Sequence, residues 1–445
     1  SDVYKRQEQY HEKRHENGGN RGAARLEGGV VYHEASRRPT ERAPVMSQSD
    51  HSTAPLTIIG TGMAGLGLAR AVRSHDAERP ITLISADSGD DYAKPLLSSA
   101  FTKRQTAEAL AIRDAVGVAE SLQARVRIHT RVDAIDTANR QLRIGTEILP
   151  YGQLVLATGA APRQPFDVSP ALHDRVFQIN DLDDYRRLRG VLDRHPGHQA
   201  RIAIIGAGLV GCEFASDLHA GGHRVALISP EVTPLARLLP PPLGRALGEA
   251  FEETGIRSIF ERRVTALHDD GEGVTLALED GESLEADLVL IATGLTPRTA
   301  LAEAAGLAVS SAGILTDRRL ATSDPNVFAL GDVACVDGLG TPGNGLNAMY
   351  VQPLQASAKA LAATLTGTPT EVSYGSWPIV VKTPLLPVVA LPPRKAPQRW
   401  RIEGEGGDFT ALAEDDNGAL LGFALTGRCV RRKVELARAT PPLLG

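Results

Sequence analysis

Cysteine is scarce in this chain. Cys212, Cys335 and Cys429 are the only three in 445 residues, and no two of them stand in CxxC or CxxxxC spacing. That excludes a disulfide framework and points to the reducing cytoplasm. A large excess of one charge is missing as well. The formal net charge is −5 with 23% charged residues, which leaves no footprint for nucleic acid and no polybasic membrane anchor. No apolar run approaches the roughly 18 residues that a membrane-spanning helix needs. The first 53 residues lack hydrophobic periodicity. Polar and rich in Arg, Glu, His and Gly, they bury too little apolar area to offset their ordering entropy, and they read as a disordered tail. The tail has neither the apolar centre of a secretion signal nor the acid-poor composition of a transit peptide. Its His11, His15 and His33 are scattered, so they read as solvated side chains and no metal site is expected.

What the chain does have is one glycine pattern, twice: Gly60-Thr61-Gly62-Met63-Ala64-Gly65 and Gly206-Ala207-Gly208-Leu209-Val210-Gly211. Each follows an apolar run and opens a helical pattern. The first glycine permits a sharp turn, the second lets the backbone approach a pyrophosphate, and the third lets helix pack on strand, with the phosphates at the helix N-terminus. Each copy is completed downstream by an apolar strand ending in Ala-Thr-Gly, at 157–159 and 292–294. An internal repeat of this kind predicts two dinucleotide sites. Asp87 stands just past the second strand of the first unit, where a carboxylate hydrogen-bonds a ribose. In the second unit the equivalent strand ends in Ser229-Pro230-Glu231, with a carboxylate and no arginine, which favours NADH over NADPH. The predicted fold is α/β. It has two Rossmann-like dinucleotide-binding domains, the first over 54–165 and 296–368 interrupted by the second over 166–295. A small α+β domain over 369–445 follows, carrying alternating strands and an Asn417-Gly418 hairpin turn.

The two fingerprints, the two Ala-Thr-Gly turns and a terminal Ala329-Leu330-Gly331-Asp332 together resemble the FAD-dependent pyridine nucleotide reductases. Four further stretches resemble the rubredoxin–NAD reductases within that group: Tyr92-Ala93-Lys94-Pro95-Leu96-Leu97-Ser98, Gly211-Cys212-Glu213-Phe214-Ala215, Tyr350-Val351-Gln352-Pro353-Leu354 and Val381-Lys382-Thr383-Pro384. The resemblance implies FAD at Gly60, Thr61, Gly62, Ala64, Gly65, Asp87, Lys94, Val132, Glu213, Asp332, Val351 and Lys382, and NAD at Gly206, Gly208, Leu209, Val210, Gly211 and Glu231. It implies a hydride passed from NADH to flavin, then single electrons to rubredoxin, a small acidic iron protein. A ferredoxin reductase, or a flavin- and NAD-binding redox sensor with little turnover, are the alternatives. No paired thiol stands near the first fingerprint, so disulfide-reductase chemistry is excluded.

Each site residue has a plainer competitor. Asp332 bonds the ribityl chain or caps a helix. Asp87 binds ribose or caps a turn, and Lys94 meets cofactor or solvent. Glu213 faces the cofactor or the helix surface. Lys382, the candidate catalytic residue, stabilises anionic reduced flavin or forms a structural salt bridge. Residues 371–445 carry ten basic against eight acidic residues, and the Arg428 to Lys433 cluster is either an acceptor dock or a solvated helix face.

Overall fold

The computed structural model describes residues 30–31, 55–195, 197, 199–339 and 345–445. Three sheets organise them. The first has six strands in the order Val30–Val31, Arg125–Arg127, Ile81–Ile84, Leu56–Ile59, Gln153–Leu156 and Val327–Ala329. All its pairings are parallel except that of the N-terminal edge strand. Leu56–Ile59 and Gln153–Leu156 are buried at every position, as a parallel sheet covered on both faces requires. Val30–Val31 departs from the disorder expected over residues 1–53: two β-branched residues pair with Arg127 and Val126 as an edge strand; the remainder of that stretch, with its three histidines, lies outside the described residues.

The second sheet is parallel throughout: Val176–Phe177, Leu288–Ile291, Arg201–Ile205, Arg224–Ser229, Arg257–Phe260. It is inserted into the first, because Val327–Ala329 joins the first sheet only after the second is complete. The two crossings, Ala160–Pro162 and Leu295–Pro297, pair antiparallel as a ribbon. The third sheet is antiparallel, in the order Ile379–Val381, Val388–Leu391, Leu420–Thr426, Asp408–Glu414, Arg399–Glu405.

Packing ties these layers together. Leu361 and Leu365 of the returning helix Val351–Leu365 share a core with Leu66, Leu68 and Val72 of Met63–His75. A second core runs from Leu97 and Phe101 through Phe214, Leu218 and Leu227 to Val381, Val388 and Ala390, so the C-terminal sheet is fused apolarly to the inserted unit. Arg79 is buried and reaches the Leu365 carbonyl (2.5 Å) and the Gln153 amide oxygen, pinning the end of the returning helix to the first sheet.

Some details depart from the sequence reading. A helix over Pro241–Thr254, unassigned above, opens on consecutive prolines, which a helix accepts in its first turn where their missing N–H is no loss, and ends at Gly255 in the left-handed region (φ 98°). The returning helix opens at Val351 and carries Pro353 in its first turn. Asp332 caps no helix: it sits inside a 3₁₀ turn, Gly331–Val333, that Leu330 precedes.

Candidate functional site

The two glycine turns are built alike. Gly60 and Gly206 have φ of +115° and +110°, and a side chain on either would overlap the carbonyl oxygen of Ala157 or Ala292, just past the end of the neighbouring strand. Gly65 and Gly211 lie against the carbonyl oxygens of Gly60 and Gly206, again with no room for a Cβ. Gly62 and Gly208 differ: a Cβ there would meet nothing within 4 Å. Each opens a helix, Met63–His75 and Leu209–Ala220, with no side-chain cap and no acidic residue in the first turn. The unpaired N–H groups of those first turns face an open cradle, the arrangement that accepts an anion.

A cavity of about 1250 Å³ starts at the first cradle. Of the residues assigned to FAD, it is lined by Gly60, Thr61, Gly62, Ala64, Asp87, Lys94, Val132, Glu213, Asp332, Val351 and Lys382; Leu209 and Val210 of the second unit line it too. Gly65 lies beneath the turn. Gly206, Gly208, Gly211 and Glu231 lie outside this cavity, at the end of the second sheet, where Glu231 is exposed and its N–H donates to Ser229 Oγ (3.2 Å).

Around the first cradle, Thr61 donates to Ser85 (2.6 Å), and Ser85 donates to Asp87 Oδ1, which also accepts the Gly89 N–H (2.9 Å). Asp87 therefore caps its turn with one oxygen, while Oδ2 has no hydrogen-bond partner among the described residues. Lys94 donates to Asn180 Oδ1 (2.7 Å). Burial lowers its pKa against the opposing charge of Asp332, and burial raises the Asp332 carboxyl against the charge of Lys94. Asn347 spends its amide N–H groups on the carbonyls of Ala312 (2.6 Å) and Asp332 (3.0 Å), leaving its buried Oδ1 unpartnered among the described residues. A buried acceptor beside a cavity calls for a donor from a ligand.

At the other end three units converge. Lys382 Nζ pairs with Glu213 Oε2 at 2.6 Å, and the Lys382 N–H donates to Glu213 Oε1 at 3.0 Å. Nζ also donates to the Pro95 carbonyl (2.5 Å) and to Ser98 Oγ (2.8 Å), while Ser98 donates to Glu213 (2.6 Å). Lys382 thus lines the cavity and forms a salt bridge at once, with Glu213 compensating its charge.

Sequence reasoning left several lining residues without a role. Ser98 lay in a quoted stretch, but the partners that reveal its role are far away in the chain. Asn180, Arg131, Arg298 and Trp377 also line the cavity, and no local pattern marks them. The basic cluster at the C-terminus is partly neutralised: Arg428 pairs with Asp408 (2.5 Å) and Arg432 with Glu435 (3.3 Å), whereas Arg431 and Lys433 form no ion pair among the described residues.

Cys212 and Cys335 are buried and Cys429 is half-buried; all three are free. Residues 54–358 match the family described as pyridine nucleotide-disulphide oxidoreductase, and residues 371–440 match the rubredoxin binding C-terminal domain. The chain is 41% identical over 393 residues to the rubredoxin-NAD(+) reductase of Alcanivorax borkumensis, covering 88% of this chain and 99% of that one. It is 37% identical over 398 residues to the rubredoxin-NAD(+) reductase of Acinetobacter baylyi, at 88% and 98% coverage. Among solved structures it resembles the covalent putidaredoxin reductase–putidaredoxin complex, with a TM-score of 0.77, 25% identity and coverage of 87% and 93%.

Proposed function

This chain belongs to the pyridine nucleotide-disulphide oxidoreductase family, and from that premise we propose that it carries reducing equivalents from NADH, through FAD, to rubredoxin. One observation carries the reading: a single cavity joins the first glycine cradle, the start of the second unit's helix at Leu209 and Val210, and the C-terminal domain at Lys382. Bound FAD supplies a hydride acceptor that returns electrons singly. The protein's own work is binding, alignment and exclusion of water.

The turn at Gly60 and Gly62 receives the pyrophosphate on free N–H groups. Asp87 Oδ2 takes a ribose hydroxyl, and Asp332 with Asn347 Oδ1 takes hydroxyls of the ribityl chain. Gly206, Gly208 and Gly211 repeat the cradle for NADH, with Leu209 and Val210 where the second coenzyme enters the cavity. Lys382 holds one positive charge at the far end of the cavity, offset by Glu213, so that its contribution to the local field is a matter of direction more than of net charge. The match of residues 371–440 to a rubredoxin-binding domain supports rubredoxin over ferredoxin. The three cysteines, all free, support a reducing compartment for the reaction. Among the described residues no helix is long and apolar enough to cross a membrane.

Purified holoprotein with NADH, assayed against rubredoxin and ferredoxin, tests the reading: rubredoxin is reduced faster, and a clear preference for ferredoxin would overturn the acceptor.

Coenzyme choice follows from Glu231. Two like charges 4 Å apart in water repel by about 1 kcal/mol, so NADH exceeds NADPH in kcat/KM by roughly fivefold or more from this residue alone. Arg262, whose N–H reaches the Ser229 carbonyl, is itself paired with Asp280. Glu231→Arg narrows the preference; an unchanged ratio in steady-state assays removes Glu231 from the ribose site.

Acceptor encounter is steered by Arg431 and Lys433. Reduction of an acidic rubredoxin at limiting concentration slows as the Debye length falls from ~10 Å at 0.1 M salt to ~3 Å at 1 M. Arg431→Glu with Lys433→Glu loses acceptor rate while NADH still reduces the flavin. Equal rates at low salt would move the dock elsewhere.

A further inference from the structure

An ammonium has three N–H groups, and all three of Lys382's have protein acceptors: Pro95 O at 2.5 Å, Glu213 Oε2 at 2.6 Å and Ser98 Oγ at 2.8 Å. None is left for a ligand in the cavity that Lys382 lines. The three acceptors are not equivalent. Glu213 is anionic, and its side chain is 4% exposed, so its bond is charge-assisted and strong. The Pro95 carbonyl is main chain, fixed within the 3₁₀ segment Lys94–Ser99. Ser98 offers a neutral hydroxyl, and its single proton is committed to Glu213 at 2.6 Å, which turns a lone pair toward Lys382. Ser98 is buried and lines the same cavity as Lys382.

We propose that Ser98 is a positioning residue that withholds one N–H of Lys382 from the cavity and thereby holds down the reduction potential of the bound flavin. The inference rests on the reading that FAD occupies this cavity. A hydroxyl at the junction of three units keeps the ammonium directed at protein acceptors. Removing it frees one charged N–H to meet the negative charge that develops on flavin reduction. The same removal strips one donor from Glu213 but changes no charge, so the ion pair itself persists.

The test is the midpoint potential of the bound flavin in wild type, Ser98→Ala and Ser98→Thr, read by equilibration with a reference dye. Ser98→Ala shifts the two-electron equilibrium toward reduced flavin by about tenfold, ~30 mV upward, and Ser98→Thr, which keeps the hydroxyl, stays at the wild-type value. An unchanged or lowered potential in Ser98→Ala, or an equal rise in Ser98→Thr, overturns the proposal. A second measurement needs no flavin. In the flavin-free protein, Lys382 loses an acceptor in Ser98→Ala and is acylated by acetic anhydride several-fold faster than in wild type; equal labelling also overturns it. A wild-type chain that takes up no flavin contradicts the cofactor reading, and the labelling experiment still decides the role of Ser98.

Discussion

Gly62→Val leaves the fold intact and empties the protein of flavin. The backbone at Gly62, φ −66° and ψ −177°, is open to any residue, and an added Cβ meets nothing within 4 Å. Without cofactor, the substitution therefore behaves as a surface change, within about ±0.5 kcal/mol. The space it fills is the space in which a pyrophosphate must contact main-chain N–H groups. A branched side chain there removes several charge-assisted bonds together, each worth about 1.5–3 kcal/mol, so flavin per chain falls to less than about a tenth of wild type. Gly65→Ala is the contrasting control, because its Cβ collides with the Gly60 carbonyl and damages the turn itself. Gly208→Val carries the same logic to the second cradle: the flavin stays bound while its reduction by NADH is lost. Absorbance of bound flavin, beside thermal unfolding of the flavin-free proteins, checks all three. Full flavin in Gly62→Val would remove the first cradle from the site.

Lys382→Met produces the largest loss of stability expected at the site. It strips the cation from Glu213, a side chain 4% exposed that is held in the shared core region of the inserted unit. A buried charge left without its partner costs about 3–5 kcal/mol; Lys382 is itself 24% exposed, which puts the expected loss near ~3 kcal/mol. The site joins the first unit at Pro95 and Ser98, the second at Glu213 and the C-terminal sheet at Lys382. The loss therefore appears as earlier release of the C-terminal sheet in denaturant, followed by tryptophan fluorescence, since Trp400 lies in its edge strand Arg399–Glu405, and Trp377→Phe removes the signal of the other tryptophan, which packs against the first unit's core. Adding Glu213→Gln removes the stranded charge and recovers most of the loss. If the double variant is as unstable as Lys382→Met alone, the ion pair is not what holds the junction.

How much of this was legible in the sequence depends on how local the constraint is. Gly60, Gly62 and Gly65 are set by one turn and its helix, within six residues, and the same turn repeats at Gly206, so spacing alone reveals both. The apolar strands are legible for a related reason: burial on both faces forces unbroken runs such as Leu56–Ile59. The Ser98–Glu213–Lys382 junction is the opposite case. Its bonds span 115 and 169 residues, and nothing near Ser98 says that a lysine from the last sheet will reach it. Resemblance placed Glu213 and Lys382 at the cofactor, but only the fold shows that they neutralise each other. The helix Pro241–Thr254, unassigned from the sequence, opens on prolines, which occupy the one turn where a helix tolerates them. Asp332 was ambiguous for want of its backbone, and the 3₁₀ turn around it disposes of the capping alternative.

Anaerobic stopped-flow mixing decides whether electrons pass from NADH through the flavin to rubredoxin. Holoprotein is mixed first with NADH and then with oxidised rubredoxin while the flavin absorbance is followed. The oxidised flavin band disappears rapidly with NADH, more slowly with NADPH, and returns fully on rubredoxin at a rate that falls with salt. A flavin that NADH leaves oxidised, or that stays reduced when rubredoxin is added yet is reoxidised by a ferredoxin, would contradict that path.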